Sequence, residues 1–252
     1  MAHQLNDFFD RIFIISIDRN KHRLDIFLKN NPGLNVEIFK GVDGKNLYPQ
    51  IKNVSQFPKS FFKNQNLDFN SCSRFNKGQL GCAMSNFLVQ QEIIEKKFEK
   101  VLVLEDDAFL LTENLALFTN AILELPSNWE MFYLGFNPIS KWAEHRGLRF
   151  IVKLKHLIKP VNTHGMSSAS FHYRFFPKHF SKSLNIPGIY FGTHAYALSY
   201  LGAQKLVELD TPLKKGFDIM LMHSNYYKLL ISYSLKKQLF IPNNNFQSSL
   251  IN

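Results

Sequence analysis

Cysteine is nearly absent from this chain, with Cys72 and Cys82 the only two among 252 residues. Two thiols make no disulfide framework, and a structural zinc site wants more Cys or paired His, so the fold must be held by packing. A reducing compartment follows as the expectation. Long hydrophobic runs are also missing. No stretch approaches the ~20 apolar residues of a membrane-spanning helix. Met1 to Asp10 has no basic segment followed by an apolar one, so no secretory leader is expected. Acids are in the minority, 20 Asp and Glu against 30 Lys and Arg, giving a formal charge of +10. No zinc-finger, RRM or KH pattern accompanies that charge, so nucleic acid is not an expected partner. A soluble or peripheral protein is expected, with an anionic membrane surface as the membrane contact the charge allows.

What is present is enough apolar material for a sizeable core. The chain is 45% hydrophobic, with 25 Phe and 9 Tyr, which favours a packed α/β domain over a low-complexity tail. Ile12 to Ile17 reads as a buried first strand, and a helical pattern follows to about Asn30. Val36 to Phe39 alternates as a second strand and ends in the turn-rich Gly41-Val42-Asp43-Gly44. Asn46 to Asn76 lacks periodicity and reads as an irregular excursion. Apolar positions from Leu80 to Ile94 recur at helical spacing, before a strand at Val101. Strand, helix, strand, helix, strand is the order of a mostly parallel sheet. Further on, Leu115 to Leu125 reads as a helix, Met131 to Leu134 as a strand, Ile189–Gly192 and Ala195–Leu198 as two short strands around Thr193 and His194, and Gly202 to Leu209 as a helix. No repeat or linker divides the chain, so 1–252 is expected to be one domain.

The segment Val101-Leu102-Val103-Leu104-Glu105-Asp106-Asp107 is the sharpest feature, an apolar strand ending in three adjacent carboxylates. Side chains of a strand alternate faces, which puts Glu105 and Asp107 on one side and Asp106 on the other. Carboxyl ends of strands in open α/β sheets are where ligands bind, and a hard cation such as Mn²⁺ or Mg²⁺ relieves repulsion between paired carboxylates. The same run is similar to the first strand of response-regulator receiver domains. No Asp occurs between Asp107 and Asp210, however, so the phosphoacceptor of such a domain is missing.

Several segments together resemble glycosyltransferase family 25, which includes bacterial lipooligosaccharide galactosyltransferases. They are Ile12–Ile17 with Arg23, Val42-Asp43-Gly44, Gly78-Gln79-Leu80-Gly81-Cys82-Ala83-Met84-Ser85-Asn86, Leu104-Glu105-Asp106-Asp107, Thr193–Ser199 with Gly202-Ala203, and Phe217-Asp218. The chain departs from the family pattern at Gln79, where Glu is usual, and at Asn86, where His is usual. The resemblance implies a GT-A-like, Rossmann-like α/β fold and an inverting transfer of a hexose, galactose first, from a UDP-sugar to a saccharide hydroxyl. It further implies a donor-binding half over 1–135 and an acceptor-binding half over 136–252.

Within that scheme Asp107 with Glu105 is expected to hold the metal, and Glu105, Asp106, Asp18, Arg23 and Asp43 to face the nucleotide-sugar. Asp18 reads equally as a helix N-cap, Arg23 as an exposed helix residue, and Asp43 as simple turn chemistry. Inversion needs a base for the acceptor hydroxyl. Asp218 is the first choice, and it reads equally as an N-cap; His194 is the second, as base or as an extra metal ligand. The alternatives are a basic module that binds polyanions or membranes without catalysis, and a family member with altered donor specificity, which Gln79 and Asn86 make plausible.

Between Lys141 and Lys182 lie nine basic residues and one acid, Glu144. Such a block would attract phosphate groups, an anionic membrane surface or nucleic acid, and it reads equally as a solvated face without a specific partner. Taken with the resemblance, it implies a phosphate-bearing lipooligosaccharide acceptor and a cytoplasmic protein peripheral at the inner membrane. Acceptor affinity should therefore fall as salt shortens the screening length from about 10 Å at 0.1 M to about 3 Å at 1 M. An affinity that stays flat across a salt titration removes the electrostatic contribution.

Overall fold

The computed structural model describes residues 3–138 and 176–243. Most of the basic block, Lys141, Arg146, Arg149, Lys153, Lys155, Lys159 and Arg174, lies outside those residues; Lys178 and Lys182 lie within them.

Ten strands are described. Eight form one sheet: β1 (Arg11–Ser16), β2 (Glu37–Lys40), β3 (Lys100–Glu105), β5 (Met131–Pro138), β6 (Lys178–His179), β7 (Leu184–Ile186), β8 (Tyr190–Ser199) and β9 (Ser232–Leu235), in the order β2-β1-β3-β8-β5-β9-β7-β6. β1 pairs in parallel with β2 and β3, and β5 with β9, whereas β8 runs antiparallel to both β3 and β5. β7 is antiparallel to β9 and β6 to β7. Six of the eight strands thus share one direction, with β8 and β7 reversed. The sheet is the mostly parallel one expected, compatible with a GT-A-like fold, and its middle strand comes from the second half of the chain. β4 (Ala108–Leu110) and β10 (Phe240–Pro242) form a separate antiparallel pair.

Alternation along the strands builds a core on each face. Ile12, Ile14, Leu102, Leu104, Phe132, Leu134, Ala195 and Ala197 pack on one side with Leu24 and Phe27 of α2 (Lys21–Asn30) and with Phe118 of α6 (Leu115–Glu124), near α1 (His3–Phe8). Phe13, Val101, Val103, Met131, Tyr133, Tyr196 and Leu198 pack on the other side with Val89 and Ile93 of α5 (Lys77–Lys96), Leu206 of α7 (Tyr200–Leu209) and Met220 of α8 (Phe217–Tyr227).

Two expectations are corrected. The excursion after Asn46 is not irregular throughout: α3 (Lys59–Asn64) and α4 (Phe69–Cys72) fold in it around Phe57, Phe61, Phe62 and Leu67, and this third cluster leans on Leu80, Ala83 and Phe87 of α5. The helices are too short for periodicity to show them. The two short strands around Thr193 and His194 are one strand, β8. Gly192 sits in it at φ +59°, so the chain bends there without ending the strand.

The glycines of the first half fix how closely α5 can approach the loop after β2. A Cβ on Gly44 would lie 1.7 Å from the carbonyl oxygen of Lys77, and one on Gly81 would lie 2.5 Å from that of Val42. Gln79 completes the entry to this helix. Its side chain accepts from Asn76 N–H while the Asn76 side chain accepts from Gln79 N–H, a capping box in which Gln serves as well as the more usual Glu. Gly44→Ala should destabilise the fold by about 1–3 kcal/mol, because backbone rather than a flexible side chain must move. Gly216→Ala, where nothing lies within 4 Å of the added carbon, should cost less than about 1 kcal/mol. Equal melting temperatures for the two variants would remove the close-approach argument.

Candidate functional site

β3 ends at Glu105, and Asp106-Asp107 turn the chain into β4. The carboxylates separate as expected, but through that turn rather than through continued strand alternation. Asp106 is buried and accepts from Ser16 Oγ at 2.9 Å, at the carboxyl end of β1. Burial raises its pKa, and the Ser16 hydrogen bond only partly offsets this. Arg23 enters from α2, 7% exposed, with Nη1 3.7 Å from Asp106 and 3.6 Å from Asp107. It faces the acids rather than solvent.

The antiparallel pairing of β3 with β8, Leu104 against Ala195, continues by one residue to set Glu105 beside His194. His194 Nδ1 lies 3.6 Å from Glu105 Oε2, and ligand atoms of Glu105, Asp107 and His194 all fall within 4.8 Å of one another. Two buried atoms here, Asp107 Oδ1 and His194 Nδ1, have no hydrogen-bond partner. Burial at the cleft floor pushes Glu105 up to about 7 against the opposing pull of His194, with Asp107 adding repulsion. His194 is shifted up as well. Burial opposes its charge, and the neighbouring Glu105, Asp107 and Asp218 outweigh burial.

Glu105 and Asp107, with Asp106, form part of the floor of an open cleft of about 130 Å³. One wall is Ile17, Arg19, Asn20 and Arg23; the other is Val42, Gly44, Gly78, Cys82, Ser85 and Asn86. Ser85 Oγ accepts from Val42 N–H and donates to the Gly81 carbonyl, tying the loop to α5. Asn86 is held between the Cys82 carbonyl and the Tyr196 hydroxyl, 2.9 and 2.7 Å away. Its two polar atoms are thus already engaged in joining α5 to β8.

Asp218, in the first turn of α8, accepts from Gly192 N–H at 3.1 Å and Thr193 Oγ1 at 3.0 Å. It therefore stands at the bend of β8, one residue from His194. The fold brings together Arg23, Glu105, Asp106, Asp107, His194 and Asp218. It does not bring in Asp18, which is largely exposed outside the cleft and paired with Lys40 at 3.1 Å. Nor does Asp18 act as an N-cap: it is the first residue of a short 3₁₀ turn that Ile17 precedes. Asp43 borders the site with its carboxylate engaged by Lys45 N–H at 3.0 Å and Arg19 Nε at 2.9 Å, which is turn chemistry plus an ion pair. Sequence reasoning missed Ser16, Arg19 and Asn20. Their adjacency to the end of β1 was the available signal.

A family model described as glycosyltransferase family 25 (LPS biosynthesis protein) matches residues 9–222. Procollagen galactosyltransferase 2 of Mus musculus is 29% identical over 211 residues, covering 80% of this chain and 28% of that protein. The procollagen lysyl hydroxylase and glycosyltransferase of Acanthamoeba polyphaga mimivirus is 28% identical over 158 residues, covering 57% and 17%. The inactive glycosyltransferase 25 family member 3 of Mus musculus is 23% identical over 205 residues, covering 79% and 29%. The chain spans less than a third of the length of each of these relatives.

Without a cation, the raised pKa values of Glu105 and His194 have one sign. Each group binds protons more readily folded than unfolded, so each withdraws stability as pH rises, Glu105 between about 4.5 and 7 and His194 from 6.5 upward. The metal-free protein should therefore lose stability between pH 5 and 8. Mn²⁺ should restore it, by about 2.7 kcal/mol at a hundredfold excess over Kd, with a larger thermal shift at pH 8 than at pH 6. In Glu105→Gln the pH dependence should flatten and the Mn²⁺ shift shrink; an unchanged Mn²⁺ shift would count against this cluster as the cation site.

Proposed function

Because the chain belongs to glycosyltransferase family 25, we propose that it transfers a hexose, galactose first, from a UDP-sugar to a saccharide hydroxyl with inversion. One observation carries this: Glu105, Asp107 and His194 converge at the carboxyl ends of β1 and β3 with two buried ligand atoms lacking partners. Two carboxylates and an imidazole suit Mn²⁺, and the oxygen ligands also admit Mg²⁺. A divalent ion bound there supplies Lewis acidity and neutralises the charge that develops on a leaving diphosphate.

The chain's own residues would divide the remaining work. Arg23 balances Asp106 and Asp107 so that the strand end stays intact, and Asp106, fixed by Ser16, positions rather than reacts. Arg19 and Asn20 form the wall against which a nucleotide-sugar would lie, with Asp43 orienting Arg19. Asp218 is the base we assign to the acceptor hydroxyl. His194 turns Nδ1 toward the acids and so serves better as ligand than as base, whereas Asp218 retains lone pairs beyond the two it gives to Gly192 and Thr193. We propose that residues 1–135 supply the donor side and 136–252 the acceptor side, although β8 stands inside the shared sheet.

For the acceptor, the family description supports a saccharide of lipopolysaccharide or lipooligosaccharide assembly, and the basic block of 141–182 supports a phosphate-bearing one. The same charge would hold the protein at the cytoplasmic face of an anionic inner membrane; no helix among the described residues is long and apolar enough to cross one. Names of relatives point both ways on catalysis, some to galactosyl transfer and some to inactivity. A polyanion-binding module without catalysis is therefore the rival.

Release of UDP, screened across UDP-sugars with saccharide acceptors, separates the two. Turnover should be greatest with UDP-galactose and Mn²⁺, and should fall by about 10²-fold or more with EDTA or in Asp107→Asn. Equal turnover of wild type and variant with and without metal would sink the metal assignment. No turnover with any donor would favour the binding module.

A further inference from the structure

Asn137 lies near the end of β5, where the register against β8 shifts twice, from Tyr133–Tyr196 to Gly135–Ala195 to Asn137–Phe191. Such irregularities re-aim side chains beside functional sites. Two glycines permit this one. A Cβ on Gly135 would sit 2.7 Å from the Phe240 carbonyl oxygen, and one on Gly192 would sit 2.7 Å from Asn137 Nδ2, at a φ of +59° that L side chains rarely adopt. The space so cleared lets Asn137 Oδ1 reach His194 Nε2 at 3.3 Å.

From this geometry we propose that Asn137 is a positioning residue that fixes the tautomer of His194, holding the proton on Nε2 so that the Nδ1 lone pair faces Glu105 and Asp107. The inference rests on the reading of Glu105, Asp107 and His194 as a cation site. With Oδ1 toward the ring the Asn137 amide accepts, so Nε2 donates and Nδ1 of a neutral imidazole is bare. The amide turned over would present Nδ2–H instead and reverse the tautomer, and the two arrangements are what the spectrum distinguishes. Nδ1 is buried and without a hydrogen-bond partner, and its 3.6 Å separation from Glu105 is too long for one. The opposite tautomer would point an N–H at the place where a cation must sit. Partners of this kind, behind the ligands, set the orientation and basicity of ligating histidines.

The test uses the full chain, ¹⁵N-labelled and metal-free, at a pH high enough to leave His194 neutral, with its resonances assigned by difference against His194→Gln. Long-range ¹H–¹⁵N spectra should show the Nε2–H tautomer in wild type. They should show a shift toward Nδ1–H in Asn137→Leu and a return to Nε2–H in Asn137→Asp, which keeps the acceptor. Mn²⁺ affinity, read from the electron paramagnetic resonance of free Mn²⁺, should weaken about 10–100-fold in Asn137→Leu and hold or rise in Asn137→Asp. An Nδ1–H tautomer in wild type overturns the proposal, and it needs no variant to be seen. So does wild-type affinity in a folded Asn137→Leu. Failure of wild type to bind Mn²⁺ overturns the cation reading instead, and the metal-free spectrum still decides whether Asn137 sets the ring.

Discussion

Three adjacent carboxylates at the end of a buried strand are the constraint around which the rest of this structure is arranged. Removed from water they repel one another, and an ionised carboxylate in low dielectric needs a partner or a proton. The fold answers differently for each. Asp106 receives a hydroxyl from β1 and a guanidinium from α2. Asp107 shares that guanidinium, and its backbone carbonyl also accepts from Asn243 N–H. Glu105 receives neither and is left beside His194, with its pKa near neutrality. This division leaves Asp106 held by a hydroxyl and a guanidinium, and Asp107 Oδ1 without a hydrogen-bond partner.

The opposite wall of the cleft follows from a second requirement, that α5 lie against the loop after β2. Gly44 and Gly81 remove the carbons that would prevent it, and Ser85 bridges the two. Gln79 and Asn86, where the resemblance leads one to expect Glu and His, then have local explanations. Gln79 makes the hydrogen bonds of a capping box, which asks for a side-chain acceptor and not for a charge. Asn86 spends its oxygen on a buried tyrosine hydroxyl and its nitrogen on a helix carbonyl. Both departures preserve packing, and neither removes a donor atom from the acidic cluster.

Much of this was legible in the sequence because it depends on period. β1, β3, α2, α5 and α6 lie where apolar spacing puts them, and the strand-end acids were visible as a costly run, explained either by a site or by the start of a solvated loop. Direction was not legible. Asp18 and Asp43 had the right residue type and neighbourhood, yet one turns outward to Lys40 and the other is engaged by Arg19 and the Lys45 amide. The continuity of β8 was hidden because Gly192-Thr193-His194 interrupts its apolar pattern, and that interruption is where the strand bends to carry His194 and the anchor for Asp218. The antiparallel insertion of β8 between β3 and β5 has no local signal at all, since register between distant strands is set by packing of the whole sheet. His194 could therefore be named from its residue type but not placed opposite Glu105.

The site's local charge and the chain's overall charge have opposite signs, and this bears on how the proposed reaction would be organised. A chain of net charge +10 draws anions from a distance. At short range a diphosphate would meet Glu105 and Asp107, and their repulsion acts in a cleft where screening by water is reduced. A divalent ion bound there would reverse the sign of that last few ångströms, and the free energy of diphosphate binding would then contain the free energy of cation occupancy. Thermodynamic linkage makes the relation reciprocal: whatever the cation adds to the affinity for the nucleotide, the nucleotide adds to the affinity for the cation. Arg23 limits how large the coupling can be. By already neutralising part of Asp106 and Asp107, it would lower the charge a cation has to offset, and it reduces the repulsion between the two acids. An acidic strand end that was fully uncompensated would bind metal more tightly and fold less well; the buried guanidinium sets the balance between the two.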